Sequence, residues 1–274
     1  MRGEPDNSST YLDYAAATPV APEVLDEMTP FWTERFHNPS APYAAARAVR
    51  ADLESARARL AHVIGARPGN VTLTAGATEA NNLAFAAMAG PAVVSAIEHE
   101  SVLASAEAHG ARGAPVAADG TVDLRALAEL IDGDVELVSV ALANGEIGTL
   151  QPMRQIARLV REERMRRLDA GNPHPLLLHT DASQAAGHVS VNVSTLGADL
   201  MTLSAAKVYG PKQVGLLWHA DGVALRPLVR GGGQEGGLRS GTENVAGIVG
   251  FARALELAEE LRPRGSVLVC TSTH

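Results

Sequence analysis

Short apolar runs alternate with stretches of helical periodicity along most of this 274-residue chain. The apolar runs, rich in Val and Leu, predict buried strands at 71–75, 93–97, 135–142, 176–179, 200–204 and 214–218. The periodic stretches predict helices at 47–64, 79–88, 101–109, 124–131, 156–167 and 245–261. Strands that alternate with helices favour an α/β fold with a mainly parallel sheet covered on both faces.

Composition excludes several classes of protein. The net charge of −8 argues against a general nucleic-acid binder, and 46% apolar residues are enough to build a core. We see no apolar run of the roughly 18 residues that a membrane span needs, and no apolar segment typical of a secretory signal near the N-terminus. One cysteine, Cys270, excludes an intrachain disulfide and a multi-thiolate zinc site. We therefore expect a soluble, cytoplasmic protein without a nucleic-acid or membrane partner.

Ligands of parallel sheets bind beyond the carboxyl ends of strands, so residues that follow the predicted strands are candidates for a site. Only two of the 23 basic residues are lysines, Lys207 and Lys212. Lys207 follows the strand 200–204 among small residues, where desolvation would lower the pKa of its amine, as a Schiff-base lysine requires. A lysine that merely extends its amine into solvent from a strand end is the alternative.

A carboxylate, Asp181, follows the strongly apolar run 176–178. Such a group needs a cation or hydrogen bonds, and a protonated pyridine nitrogen would serve. It could equally be a helix N-cap. His179 and Asp181 together could form half of a metal site, but no neighbouring residues complete a ligand set of known spacing, so we predict no metal.

Two turns rich in small residues could bind an anion. The turn 74–79 joins a strand to a helix, so its backbone amides and the Thr78 hydroxyl could hold a phosphate, although for this motif alone a simple capped helix start is the better explanation. The run 231–237 contains the spacing Gly-x-Gly-x-x-Gly without the strand–turn–helix context of a dinucleotide site, which argues against an oxidoreductase. Arg239 and Thr242 follow that run and could bind a phosphate or carboxylate.

His99 follows the predicted strand 93–97 between two glutamates. It could stack on a flat cofactor or carry protons, or it could lie on an exposed loop.

Taken in order, these motifs resemble the cysteine desulfurase family of class V aminotransferase-like, pyridoxal-phosphate-dependent enzymes. The resemblance covers about residues 11–260. It rests on the segments 11–19, 38–40, 74–82, 98–99, 144–148, 179–184, 204–207, 231–235 and 239–242, which occur in the order of the family.

The resemblance implies a three-layer α/β/α sandwich, the large domain of fold-type I pyridoxal-phosphate enzymes. It implies that Lys207 holds the cofactor, that Asp181 pairs with its ring nitrogen and that Gln184 contacts its phenolic oxygen. It further implies that His99 stacks on the ring and relays protons. The remaining cofactor contacts that it implies are Ala77, Thr78 and Ser204 with the phosphate and, in a homodimer, the partner subunit's Thr242.

Several positions depart from the family pattern. Gly145 stands where a cofactor-contacting asparagine is usual, and we predict that Asn144 beside it substitutes. Ala206 replaces a histidine next to the lysine, and Gly236 replaces an arginine. Cys270 follows Lys207 too soon to match the family's sulfur-accepting cysteine.

The resemblance predicts a tail at 1–10, a cofactor-binding large domain at 11–260 and a truncated or irregular remnant at 261–274. In this remnant, Pro263 and Gly265 are expected to break the preceding helix. The function implied is that of a cysteine desulfurase, impaired in this chain, which converts L-cysteine to L-alanine and passes sulfur to an acceptor such as an iron–sulfur scaffold protein. The alternatives are a selenocysteine lyase or related β-lyase, and a non-catalytic remnant that binds a partner.

Overall fold

Strands of the described chain pair into one seven-stranded sheet of order β1-β7-β6-β5-β4-β2-β3. The structure is a computed structural model that describes the backbone of residues 10–270 and the side chains of residues 10–262. The strands are β1 Val71–Thr74, β2 Ala92–Ser95, β3 Arg112–Ala114, β4 Leu137–Ser139, β5 Leu177–Asp181, β6 Leu200–Ser204 and β7 Gly215–His219.

The sheet is parallel except at β7, which runs antiparallel to both of its neighbours, β1 and β6. β7 follows β6 after a connection of ten residues with no α-helix, and a strand that returns without a long crossover pairs antiparallel. The predicted mainly parallel sheet is confirmed, with β7 as the exception.

Helices flank the sheet. They are α1 Pro22–Met28, α2 Pro30–Thr33, α3 Ala44–Val63, α4 Ala77–Phe85, α5 Glu100–Glu107, α6 Leu124–Leu130, α7 Met153–Asp169, α8 Val193–Leu196 and α9 Val245–Cys270. In the described part of the chain, every helix is too short or too polar to cross a membrane.

Consecutive residues of a strand enter two different hydrophobic cores, because side chains alternate between the faces of a sheet. In β6, Leu200 packs with Leu83 and Phe85 of α4, whereas Met201 packs in the core that contains α3, α7 and α9. Helices therefore cover both faces, and the predicted three-layer sandwich is confirmed.

The structure also differs from the sequence prediction. The three-residue edge strand β3 and the short helices α1, α2 and α8 were not predicted, because elements this short give little periodicity. The predicted break at Pro263 and Gly265 does not occur, since α9 continues to Cys270. A proline removes one helical hydrogen bond but keeps a helical φ, so it need not end a helix. Residues 271–274 lie outside the described residues.

Candidate active site

Asp181 and Lys207 lie at the same edge of the sheet. Asp181 is the last residue of β5, and Lys207 ends a single 3-10 turn, Ala205–Lys207, that follows the neighbouring strand β6. The carboxyl ends of parallel strands share one edge, so the fold brings together two side chains that are 26 residues apart.

The Lys207 amine is half-buried and faces the N-terminal segment. Nζ donates to the carbonyl oxygens of Ala15 and Ala16, each at 2.8 Å. Burial lowers the pKa of Lys207, an effect that the carboxylates of Asp181 and Asp13 oppose. Two acceptors satisfy both hydrogens of a neutral amine and leave its lone pair free, which suits a nucleophile.

Asp181 is 8% exposed, and both of its oxygens accept hydrogen bonds from neutral donors. Oδ2 accepts from Asn81 Nδ2 at 2.8 Å, and Oδ1 accepts from the backbone N–H of Ser183 at 2.9 Å. No α-helix begins after Asp181, so the N-cap alternative is wrong. Neither donor is a cation, so a bound cation could still pair with this carboxylate.

His179 cannot complete a metal site with Asp181, because both ring nitrogens are already bonded. Nδ1 contacts Ser139 Oγ at 2.8 Å and Nε2 contacts Thr202 Oγ1 at 3.1 Å. Burial lowers the pKa of His179 to about 4, so its ring is neutral near pH 7. Among the residues that the structure describes, no group of His, Cys, Asp and Glu could hold a metal ion.

His99 is the N-cap of α5 and is exposed. Its Nδ1 accepts from the backbone N–H of Ser101 at 3.0 Å and lies 2.8 Å from Ser101 Oγ. Thr78, at the start of α4, lines with His99 a cavity of about 530 Å³ between α4 and α5. The two side chains predicted to contact a ring and its phosphate thus share one cavity wall.

The backbone before α4 depends on two glycines. Gly76 has φ +105°, a conformation that favours glycine, and α4 begins at the next residue, Ala77. A Cβ on Gly215 of β7 would lie 2.7 Å from the Gly76 carbonyl carbon, so only glycine fits beneath this turn. The first amides of α4, including those of Ala77 and Thr78, are available to an anion.

Gln184 and Lys207 share an acceptor, since Gln184 Nε2 also donates to the Ala15 carbonyl, at 2.9 Å. Gln184 also fills the space beside Gly145, where a Cβ would lie 2.6 Å from its Nε2. Asn144 holds its own loop together: its Nδ2 donates to the Ile97 carbonyl, and its Oδ1 accepts from two backbone amides. The predicted cofactor contact of Asn144 remains a prediction.

The remaining predicted contacts lie around this group. Ser204 is the last residue of β6, directly before the turn of Lys207. Thr242 is exposed on the loop before α9. Arg239 pairs with Glu79 of α4 at 2.9 Å, so its charge ties this loop to α4.

Sequence reasoning missed three polar side chains around Asp181: Asn81, Ser101 and Glu98. Glu98 accepts from the Ala141 amide at 2.8 Å through Oε1, while its buried Oε2 has no partner. Burial raises the pKa of Glu98 to about 8, with a further contribution from Asp181. The signal for Asn81 and Glu98 was available, because they lie within the family-like segments 74–82 and 98–99.

The fold and the site together define a class of protein, the pyridoxal-phosphate enzymes of fold-type I. The features that define it are a half-buried lysine, a buried carboxylate and a helix start at one edge of a three-layer α/β/α fold. The aminotransferase class-V family matches residues 10–264. The chain belongs to this family, whose members use pyridoxal phosphate.

The chain is similar to curated cysteine desulfurases. IscS of Dictyoglomus turgidum is 40% identical over 260 residues, a match that covers 90% of this chain and 63% of the relative. IscS 1 of Archaeoglobus fulgidus is 41% identical over 259 residues, covering 90% of this chain and 65% of the relative. The chain thus spans a little under two thirds of the length of these relatives.

Solved structures agree with this family. A NifS-like protein superimposes with a TM-score of 0.86 at 36% identity, covering 93% of this chain and 71% of its own. SspA, solved in complex with cysteine, superimposes with a TM-score of 0.82 at 35% identity, covering 90% of this chain and 72% of its own.

Proposed function

We propose that this chain binds pyridoxal phosphate at Lys207 and acts in cysteine desulfuration, converting L-cysteine to L-alanine while the sulfur passes to an acceptor. The observation that carries the proposal is the Lys207 amine, desolvated and held by two carbonyls beside the buried Asp181. The similarity to IscS proteins and to SspA, which was solved in complex with cysteine, supports the substrate.

The residues present fit the cofactor. The amine of Lys207 would bond to its aldehyde carbon, Asp181 would pair with the ring nitrogen, and Gln184 would contact the phenolic oxygen. Ala77, Thr78 and Ser204 would hold the phosphate. When bound, pyridoxal phosphate supplies an electron sink for bonds broken at or next to the substrate's α-carbon.

The chain's own residues prepare this chemistry. Desolvation increases the neutral fraction of Lys207, and only the neutral amine has a lone pair with which to attack a carbonyl. The two neutral donors on Asp181 hold its carboxylate in place, where it would pair with the ring nitrogen and favour the protonated form of that nitrogen.

The partners and the location belong to the same proposal. We propose a homodimer in which the partner subunit's Thr242 completes the phosphate site, a sulfur acceptor such as an iron–sulfur scaffold protein, and a cytoplasmic location. The support is the similarity to bacterial and archaeal IscS proteins. The expected impairment of activity remains a prediction.

The two lysines make the test decisive. The purified chain is mixed with pyridoxal phosphate, freed of excess cofactor and examined by visible absorption before and after borohydride reduction. We expect a Schiff-base band and reduced label in the wild type and in the matched control Lys212→Ala, whose lysine is exposed, and neither in Lys207→Ala. A band that survives in Lys207→Ala, or is missing from all three proteins, would sink the proposal.

The substrate is tested separately. Equal concentrations of L-cysteine and L-selenocysteine are added with an external thiol, and alanine is quantified. We expect alanine from cysteine, and none with Lys207→Ala. Alanine from selenocysteine alone would favour a selenocysteine lyase, whereas a colourless protein that forms no alanine would favour the non-catalytic remnant.

A further inference from the structure

A continuous set of hydrogen bonds connects Asp181 to His99 through the interior. Asn81, which is fully buried on α4, donates from Nδ2 to Asp181 Oδ2 at 2.8 Å and to Ser101 Oγ at 2.9 Å. Ser101 Oγ lies 2.8 Å from His99 Nδ1. Three elements, β5, α4 and α5, thus meet through polar side chains.

In this series of hydrogen bonds, the donors and acceptors have only one consistent assignment. Asn81 directs its amide nitrogen at Asp181 Oδ2, and the same nitrogen gives its second hydrogen to Ser101 Oγ. The Ser101 hydroxyl accepts that hydrogen and has a single proton left to donate, which is directed at His99 Nδ1.

A second donor reaches the same atom. The backbone N–H of Ser101 also points at His99 Nδ1, at 3.0 Å. A proton on Nδ1 would face this N–H directly, and two donors cannot bond to each other. Nδ1 therefore keeps its lone pair, and the ring proton must lie on Nε2.

We propose that Ser101 and Asn81 are positioning residues that hold His99 as the Nε2–H tautomer, so that its ring keeps a hydrogen-bond donor at Nε2. An amide does not release its protons, so Asn81 orients His99 relative to Asp181 without passing a proton between them. Any role of the Nε2–H donor in the cofactor site rests on the proposed function, whereas the assignment of the tautomer does not.

An N-cap alone explains only part of this arrangement. Capping of α5 accounts for the bond from the Ser101 amide, as it would for an Asn or Ser at position 99. It does not account for the Ser101 hydroxyl or for the bridge of Asn81 to Asp181, 100 residues away.

The test is a long-range proton–nitrogen NMR spectrum of the full chain without cofactor, labelled with ¹⁵N at histidine. The His99 resonances are assigned by their loss in His99→Gln. We expect one pyridine-type nitrogen at Nδ1 and one protonated nitrogen at Nε2. In Ser101→Ala, Nδ1 loses one of its two donors, and we expect its resonance to move downfield. Asn81→Ala should shift the same resonance.

Two further variants separate this role from helix stability. Ser101→Thr keeps the hydroxyl and should restore the wild-type resonance. Ser105→Ala is the matched control, because Ser105 is equally buried one turn later in α5 and bonds to a backbone carbonyl, and it should leave His99 unchanged. A proton on His99 Nδ1 in the wild type, or a Ser101→Ala spectrum identical to the wild type, would overturn the inference.

The two proposals fail separately. If the Nε2–H pattern is seen without a Schiff-base band, this inference stands and the proposed function is wrong. If the band is seen but His99 carries its proton on Nδ1, the proposed function stands and this inference is wrong.

Discussion

Glu98 shows how the interior of this site favours neutral groups. Its side chain is 7% exposed, and its Oε2 lacks a partner although Asp181 is near enough to act on it electrostatically. A buried carboxyl without a cation avoids the cost of desolvating its charge by keeping its proton.

This burial makes stability depend on pH. The pKa of Glu98 rises from 4.5 to about 8 on folding, so between these values the folded chain holds a proton that the unfolded chain has lost. The stabilisation is complete at low pH and is lost as pH rises to about 8, with a slope of up to about 1.4 kcal/mol per unit. We expect Glu98→Gln, which cannot titrate, to gain stability relative to the wild type between about pH 5 and pH 8.

Urea unfolding of both proteins across this range measures the difference. The lowered pKa of His179 gives stability an opposite pH dependence, but it is present in both proteins and cancels from the difference. Glu129→Gln, at an exposed position of α6, is the control for replacing a glutamate by glutamine outside the buried site. Parallel curves for wild type and Glu98→Gln would contradict the prediction.

At the scale of elements, one buried ion pair joins the glycine-rich loop 231–237 to α3. Arg57 of α3 pairs with Glu235 at 2.6 Å, and the two side chains are 9% and 3% exposed. Glu235 also accepts from the backbone N–H of Leu73 in β1 at 2.8 Å. The loop is therefore fixed against α3 and β1, which agrees with a structural role for its glycines.

We expect Glu235→Ala to lower the free energy of unfolding by at least about 2 kcal/mol, because it leaves a buried guanidinium and a buried amide without their acceptor. Glu54, which also pairs with Arg57, limits the loss. Glu129→Ala breaks the exposed Arg125–Glu129 pair and should change stability by less than about 0.5 kcal/mol. Equal losses in urea unfolding would show that burial of the pair contributes nothing.

At the scale of the whole molecule, the proposed homodimer divides each site between two chains. Lys207 and Asp181 belong to one subunit, and the partner subunit's Thr242 would contact the phosphate. Thr242 is exposed on its own chain, as a residue available to a second copy must be.

Mixing variants tests this division. Lys207→Ala should form no Schiff-base band, and Thr242→Ala should bind the cofactor more weakly. Unfolded and refolded together, they should form mixed dimers in which one site has both Lys207 and Thr242, so tight cofactor binding should return in up to about half of those sites. The same variants mixed without refolding are the control. Unrecovered affinity, despite mixed dimers in native mass spectrometry, would place Thr242 outside the partner's site.

The sequence determined the layers of this protein. Short β-branched and leucine-rich runs form strands wherever they are buried on both faces, so β6 was predicted at its observed bounds of 200–204. The direction of β7 and the edge strand β3 were not evident, because pairing depends on connections and neighbours that local periodicity does not encode.

At the site, too, the sequence determined some features and the tertiary structure decided others. The sequence singled out Lys207, Asp181 and His99 as candidates, because each follows a predicted strand and its residue type suits the chemistry. Only the tertiary structure revealed the carbonyls of Ala15 and Ala16 on the lysine, and the amide of Asn81 between Asp181 and Ser101. These contacts join residues about 20 to 192 positions apart, and a hydrogen bond between such groups exists only once the packing of α4, α5 and the sheet has brought them within 3 Å.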